Sequence, residues 1–260
     1  MININFIKVL VLIQFIVIII LLVLLLKKPT SKNIESNTAK FNPKWYSLDQ
    51  NWLGEYKLKT NHNHQKKMKD KIFQMGMKLP KNAVFIDSGA HIGDTGLFLK
   101  TKWKESGRND IKVISIEPDD SKAKFIKDMA KIENVKIDVI NAGLWNKKTK
   151  GNVIKDENYS AMWRVKENPN GSVTFRTLDD ILDGSRIDIL QLDVEGSEPQ
   201  ALKGAEKSIR KYKPAIFIEI EFNEAKSKTS NEAISILKSF GYKQSGKRMD
   251  NDLLFIHNDK

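Results

Sequence analysis

The 260-residue chain contains no cysteine. That absence excludes disulfide staples, thiolate zinc sites and cysteine nucleophiles together. Histidine is nearly as scarce: His62, His64, His91 and His257 are the whole set, and none of them pairs at the i, i+4 spacing by which one helix face grips a metal. Only His62 and His64 are close, in the polar stretch Asn61-His62-Asn63-His64-Gln65, which reads as a solvated loop. No internal repeat is present. The chain is too short for two large catalytic domains, so one enzyme-sized core plus an appendage is expected.

What is there begins with a packable composition, 40% hydrophobic and 29% charged residues, with 12 Phe and 5 Trp. The net charge is +12, but it is unevenly spread. Residues 27–80 carry 12 basic against 4 acidic side chains, and residues 81–260 carry 31 against 28. A cluster facing anionic lipid explains this better than a nucleic-acid surface. Val9 to Leu26 are 18 residues with only Gln14 polar, about 27 Å of helix at 1.5 Å per residue. The stretch reads as a single transmembrane helix. Leu26-Lys27-Lys28-Pro29 follows it instead of a small-residue cleavage site, which argues against a removed signal peptide. Lys27, Lys28 and Lys32 beyond it place the remainder on the cytosolic side. The expected organisation is a short N-terminal segment 1–8, a membrane helix 9–26, a basic juxtamembrane linker with an accessory helix 27–80, and a folded domain 81–260. Within the linker, Trp45, Tyr46 and Trp52 are docking aromatics and residues 65–78 a basic helix.

From residue 83 short apolar runs alternate with longer helical stretches, the pattern of parallel strands joined by crossover helices. Strands are expected over 83–86, 112–116, 136–140, 187–192, 215–220 and 253–256. Helices are expected over 94–104, 121–131, 198–211 and 231–240. The polar stretch 143–176 interrupts the rhythm. The fold class is therefore α/β, a doubly wound, mostly parallel sheet, in which ligands bind at the carboxyl ends of strands.

Three strand ends carry chemistry. After the first comes Asp87-Ser88-Gly89-Ala90-His91-Ile92-Gly93, whose glycines permit close backbone approach and whose following helix aims N–H groups at a ligand. Its Gly-x-x-x-Gly spacing differs from the Gly-x-Gly-x-x-Gly of dinucleotide binders, which argues for a nucleoside other than a nicotinamide cofactor. After the second strand, Glu117-Pro118 places a carboxylate for a ribose diol. Asn141, after the third, either hydrogen-bonds an adenine edge or serves the turn. After the fourth, Asp193-Val194-Glu195-Gly196-Ser197-Glu198 gathers carboxylates where a reacting group would emerge. Asp193 is the candidate base or acceptor-orienting group, and Ser197 or Glu198 the candidate cap of the next helix.

These blocks, with Thr177-Leu178-Asp179-Asp180 and Leu202-Lys203-Gly204-Ala205, resemble the FkbM family of methyltransferases over roughly residues 83–257. The resemblance implies a Rossmann-like domain of the class I methyltransferase type that binds S-adenosylmethionine and methylates a hydroxyl oxygen, often on a sugar or small natural product. It implies a cofactor set of Asp87, Gly89, Ala90, His91, Gly93, Glu117, Pro118 and Asn141, with Asp87 near the methionine ammonium group directly or through water. Two positions depart from the family: His91 stands where Asn is usual and Gln191 where Lys is usual. His91 either packs over the cofactor or assists proton transfer. The stretch 143–176 is the expected acceptor lid, carrying Trp145, Tyr159 and Trp163 for core or sugar contacts and Arg164 and Arg176 for an anionic group. The leading expectation is a membrane-anchored O-methyltransferase acting on a glycan or other hydroxylated acceptor. An inactive membrane-tethered scaffold and an RNA methyltransferase are the alternatives, the latter disfavoured because the charge excess lies outside the catalytic domain.

Overall fold

β-branched and aromatic runs too short for helices become the strands of a seven-stranded sheet. In a computed structural model, the described residues are 48–61, 64–154, 164–220 and 227–260. They fall in the compact unit Lys44–Lys260. The strands are β1 (Val84–Ser88), β2 (Lys112–Glu117), β3 (Asp138–Asn141), β8 (Ile189–Leu192), β9 (Ala215–Glu219), β10 (Tyr242–Gln244) and β11 (Asp252–His257). Their spatial order is β10-β11-β9-β8-β1-β2-β3. β3, β2, β1, β8 and β9 are parallel, and β11 and β10 close one edge antiparallel. The strand order reverses beside β1, between the pairs leading to β2 and to β8, which places the switch point at the end of β1.

Helices cover both faces. α1 (Gln50–Asn61), α2 (Lys66–Lys78), α3 (Gly96–Glu105) and α4 (Asp120–Ile132) precede the fourth parallel strand, and α5 (Leu178–Leu182), α6 (Glu198–Lys203), α7 (Glu206–Tyr212) and α8 (Ser227–Ser239) follow the second sheet. Met68, Ile72, Leu99 and Trp103 pack with Phe85, Val113, Ile189 and Phe217 on one face. Leu202, Ile209 and Leu237 pack with Ile86, Leu190 and Ile216 on the other. Neighbouring strand residues alternate between these two cores, as the pleat requires.

Several expectations are corrected here. The helix expected over 198–211 is broken at Gly204-Ala205, where a Cβ at Gly204 would lie 2.0 Å from the Trp145 carbonyl oxygen. The expected linker contains α1, whose Leu53 is buried and whose Tyr56 packs on Phe125 of α4. The stretch 143–176, expected as the acceptor lid, has regular structure of its own. It contributes β4 (Gly143–Leu144), β5 (Thr149–Ile154), β6 (Arg164–Glu167) and β7 (Val173–Arg176), a second sheet ordered β4-β7-β5-β6. Trp145 packs on the buried Phe175 of that sheet at 5.2 Å. Arg176 donates to the Asp180 carbonyl at 3.2 Å. Tyr159 and Trp163 lie outside the described residues.

The expectation of a single-pass membrane protein with a cytosolic domain is also corrected. No helix among the described residues is long and apolar enough to cross a membrane. The expected span 9–26 lies outside the described residues, as do Trp45, Tyr46 and His62. Two lysines of the basic region have an internal role: Lys59 and Lys69 both reach Asp94.

Candidate functional site

The loop after β1 is shaped by backbone approach. Gly89 (φ +74°) lies so close to β8 that a Cβ there would sit 1.7 Å from the Asp193 carbonyl oxygen. Its N–H and that of Ala90 both donate to the Ile116 carbonyl at 3.0 Å, which ties the loop to the end of β2. Gly93 (φ +78°) is crowded by Leu97 and Ile126. Gly96, at the start of α3, leaves room for the Asp87 carboxylate, whose Oδ2 accepts from the Gly96 N–H at 2.9 Å and from Ser115 Oγ at 3.5 Å. Asp87 is buried, and its pKa is pushed up to about 7 by burial and by the neighbouring Asp94.

Glu117 closes the other side. Its Oε2 accepts from the His91 N–H at 2.8 Å and its Oε1 from the Asp119 N–H at 2.9 Å. A carboxylate has about four lone-pair sites, so two remain for a diol. Burial pushes the Glu117 pKa up, while the ammonium of Lys122 opposes the shift. Lys122, buried on the first turn of α4, sits 5.5 Å from the Trp52 ring centre. Asn141 does not join this group. Its side-chain amide donates to the Glu117 and Pro118 carbonyls at 3.0 and 3.2 Å, and it lines neither cavity described below.

His91 lines both of the cavities described below. It adopts φ +51°, a left-handed conformation easier for Asn than for most other side chains. Its ring turns to α1, where Lys59 Nζ donates to Nδ1 at 3.3 Å, Glu55 Oε1 lies 3.4 Å from Nε2, and Trp52 meets it edge-on at 6.4 Å. This pairing assigns the proton of the neutral ring to Nε2. Burial, then Lys59 and Lys122, lower its pKa to about 2. The ring is therefore a neutral latch for α1.

Asp94, at the end of the same loop, was not singled out by the sequence. Burial alone would raise its pKa, but a hydrogen bond from His64 and the ammonium groups of Lys69 and Lys59 outweigh that and hold it well below the carboxylate range. Lys69 reaches it at 2.8 Å. His64 is exposed, as a loop residue should be, yet its Nδ1 stands 3.8 Å from Asp94.

The β8 end brings Asp193 to the same space. Its carboxylate faces Glu219 at the end of β9, and Gln65 Nε2 donates to its Oδ2 at 3.4 Å. Burial, then Glu219 and Glu195, raise its pKa well above the ordinary range. The loop beyond it is held by Glu198, whose Oε1 accepts from the Val194 and Gly196 N–H groups at 3.2 and 3.1 Å. Ser197 makes no side-chain cap bond. Glu198 therefore organises the loop, and neither residue caps α6.

Two connected spaces result, sharing Gly89, His91, Asp193 and Glu195. One is apolar, walled by Pro118 and by Leu144, Val153 and Val165 of the second sheet. The other is polar, of roughly 340 Å³, with Asp87, Asp94, Gln191 and Glu219 on its wall. That volume is within the range of small-molecule sites. Glu219 was missed in the sequence, although its place at the end of the fifth parallel strand is the same signal that marked Asp193.

A family model described as the methyltransferase FkbM domain matches residues 87–243. Among curated protein sequences, none matches this chain. The fold is similar to that of a methyltransferase FkbM from Methylobacillus flagellatus, at 22% identity and a TM-score of 0.46, covering 68% of this chain and 44% of that one. The chain thus spans less than half the length of that protein. It is also similar to an S-adenosylmethionine-dependent methyltransferase from Aquifex aeolicus (13% identity, TM-score 0.42, covering 72% and 87%). A third similar structure is the tRNA (uracil-54, C5)-methyltransferase of Pyrococcus abyssi bound to S-adenosylhomocysteine (11% identity, TM-score 0.38, covering 73% and 36%).

Proposed function

Because this chain belongs to the FkbM methyltransferase family, whose cofactor is S-adenosylmethionine, we propose that it methylates a hydroxyl oxygen on a sugar, glycan or other small molecule. The observation that carries this reading is the convergence of Asp87, Glu117 and Asp193, from the ends of β1, β2 and β8, on two joined spaces. In this reading Glu117 takes the ribose diol and the apolar space beside Pro118 and Val153 takes the adenine. Asp87 would hold the methionine ammonium group, and Asp193 would meet the acceptor.

Transfer is an in-line displacement whose rate depends on alignment. The acceptor oxygen forms the new C–O bond as the S–CH₃ bond breaks, and that bond's electron pair stays on sulfur to give S-adenosylhomocysteine. The hydroxyl proton passes to Asp193.

Calorimetry with S-adenosylmethionine on the whole chain tests the cofactor half of this reading, and absence of binding at millimolar cofactor overturns it. Metabolites and glycans compared between cells with and without the gene test the acceptor half. A compound that loses one methyl group on deletion identifies the acceptor. Cofactor binding without turnover on any hydroxylated acceptor pool would favour the scaffold alternative.

A further inference from the structure

In the polar space, the loop after β8 and the end of β9 bring carboxylate oxygens together. Asp193, Glu195 and Glu219 each offer a carboxylate oxygen, and the three lie within 4.8 Å of one another. Two oxygens bound to one ion can be no farther apart than twice the metal–oxygen distance, about 4.8 Å for Ca²⁺ at ~2.4 Å and about 4.2 Å for Mg²⁺. The spacing meets the first limit as it stands and the second after a shift of a few tenths of an ångström.

Gln191 points to a ligand independently. It is 2% exposed, lines the same space as the three carboxylates, and its Oε1 has no hydrogen-bond partner among the described residues. A buried amide oxygen left unpaired is costly, and amide oxygens are ordinary ligands of hard cations. Asp252 adds to the charge. It is fully buried, with neither carboxylate oxygen hydrogen-bonded, and it is the register partner of Glu219 across β9 and β11. The donors that reach Asp193 and Glu219 are the neutral amides Gln65 Nε2 and Asn251 Nδ2, each at 3.4 Å. Carboxylates gathered in a partly buried space favour bound protons or a cation to balance them.

We propose that Asp193, Glu195, Glu219 and Gln191 hold one hard divalent cation, of the Mg²⁺, Mn²⁺ or Ca²⁺ class, on the acceptor side of the cavity. The donor set is all oxygen, which disfavours the softer, thiolate- and imidazole-seeking ions. Four protein ligands leave coordination positions for water or an acceptor oxygen. An acceptor hydroxyl bound there loses its proton more readily. That role rests on the methyl-transfer reading; the site itself does not.

The test is titration of the metal-free whole chain with Mn²⁺, read by electron paramagnetic resonance, with Ca²⁺ and Mg²⁺ as competitors. One Mn²⁺ per chain is expected, displaced by either competitor. Glu219→Gln removes a ligand charge with little change of shape, and Gln191→Lys supplies an ammonium group where the ion would sit. Each should weaken Mn²⁺ binding by at least about tenfold, with cofactor affinity by calorimetry retained as the control for folding. If Gln191→Lys does not fold, the isosteric Glu219→Gln carries the comparison. No Mn²⁺ binding at millimolar concentration, or wild-type binding by the folded variants, overturns the proposal. Cofactor binding without Mn²⁺ binding refutes the metal site alone, and Mn²⁺ binding without cofactor binding refutes the methyl-transfer reading alone.

Discussion

A methyl group added at Gly89 would lie 1.7 Å from the Asp193 carbonyl oxygen, on a backbone at φ +74°. Gly89→Ala must therefore push β1 from β8 at the point where both deliver their carboxylates. With strain of this kind costing about 1–3 kcal/mol, cofactor affinity measured by calorimetry should fall at least about tenfold. Asp87 allows a sharper test, because its burial and its proposed role pull in opposite directions. Its folded pKa of about 7 lies above the ordinary 3.8, so the folded state binds the extra proton and the group's contribution is greatest below pH 3.8. That contribution is lost as pH rises through 7. Asp87→Asn should accordingly raise the melting temperature of the cofactor-free protein at pH 8 and change it little at pH 4, while weakening S-adenosylmethionine at pH 8 far more than at pH 4, where Asp87 is itself protonated. A thermal-shift series across pH checks this, and a variant that melts lower at pH 8 would refute the burial argument. At this scale the sequence marked Asp87, Gly89, Glu117 and Asp193 by their places after strands. It could not place Asn141, because whether an amide faces a ligand or a carbonyl depends on the turn it closes.

α1 and the loop after β1 meet through His91. Its ring contacts Glu55, Lys59 and Trp52, so the latch joins segments more than thirty residues apart. His91→Asn should keep the loop, since Asn suits a positive φ, and lose the latch. Amide exchange over residues 50–61 should then quicken by roughly 5- to 30-fold, the equivalent of about 1–2 kcal/mol for a lost buried contact. Unchanged exchange would show that α1 is held by Leu53 and Tyr56 packing alone. A second junction joins the break between α6 and α7 to the second sheet. Gly204→Ala would meet the Trp145 carbonyl oxygen at 2.0 Å, and overpacking of this kind costs about 1–3 kcal/mol. A lower urea midpoint is expected. Neither element was legible beforehand. α1 lacks an apolar stripe of helical period strong enough to stand out, and the strands of the second sheet are short, polar and partly exposed, without the apolar runs that identified the first sheet.

Lys44–Lys260 form one compact unit, with α1 and α2 packed into its cores. A fragment beginning at residue 44 should melt cooperatively and bind S-adenosylmethionine as the whole chain does. A fragment beginning at residue 64 loses Leu53, Trp52, Tyr56 and the Lys59 contacts, and should bind more weakly and melt lower. Equal behaviour of the two fragments would place α1 outside the functional unit. The class of fold was readable throughout, because parallel strands joined by crossover helices impose a rhythm of buried runs that local sequence must obey. The loop Asp87–Gly93 and the carboxylate Glu117 could be located for the same reason, since each lies within a few residues of such a run. Which distant side chains share the space beyond them was not. Gln191, Asp193, Glu219 and Asp252 come from three strands separated along the chain. They meet because strand pairing aligns β8, β9 and β11 in register and the pleat turns alternate residues to one face. Proximity to a strand end is a local property, written in the sequence; the convergence of four such residues is a property of the sheet.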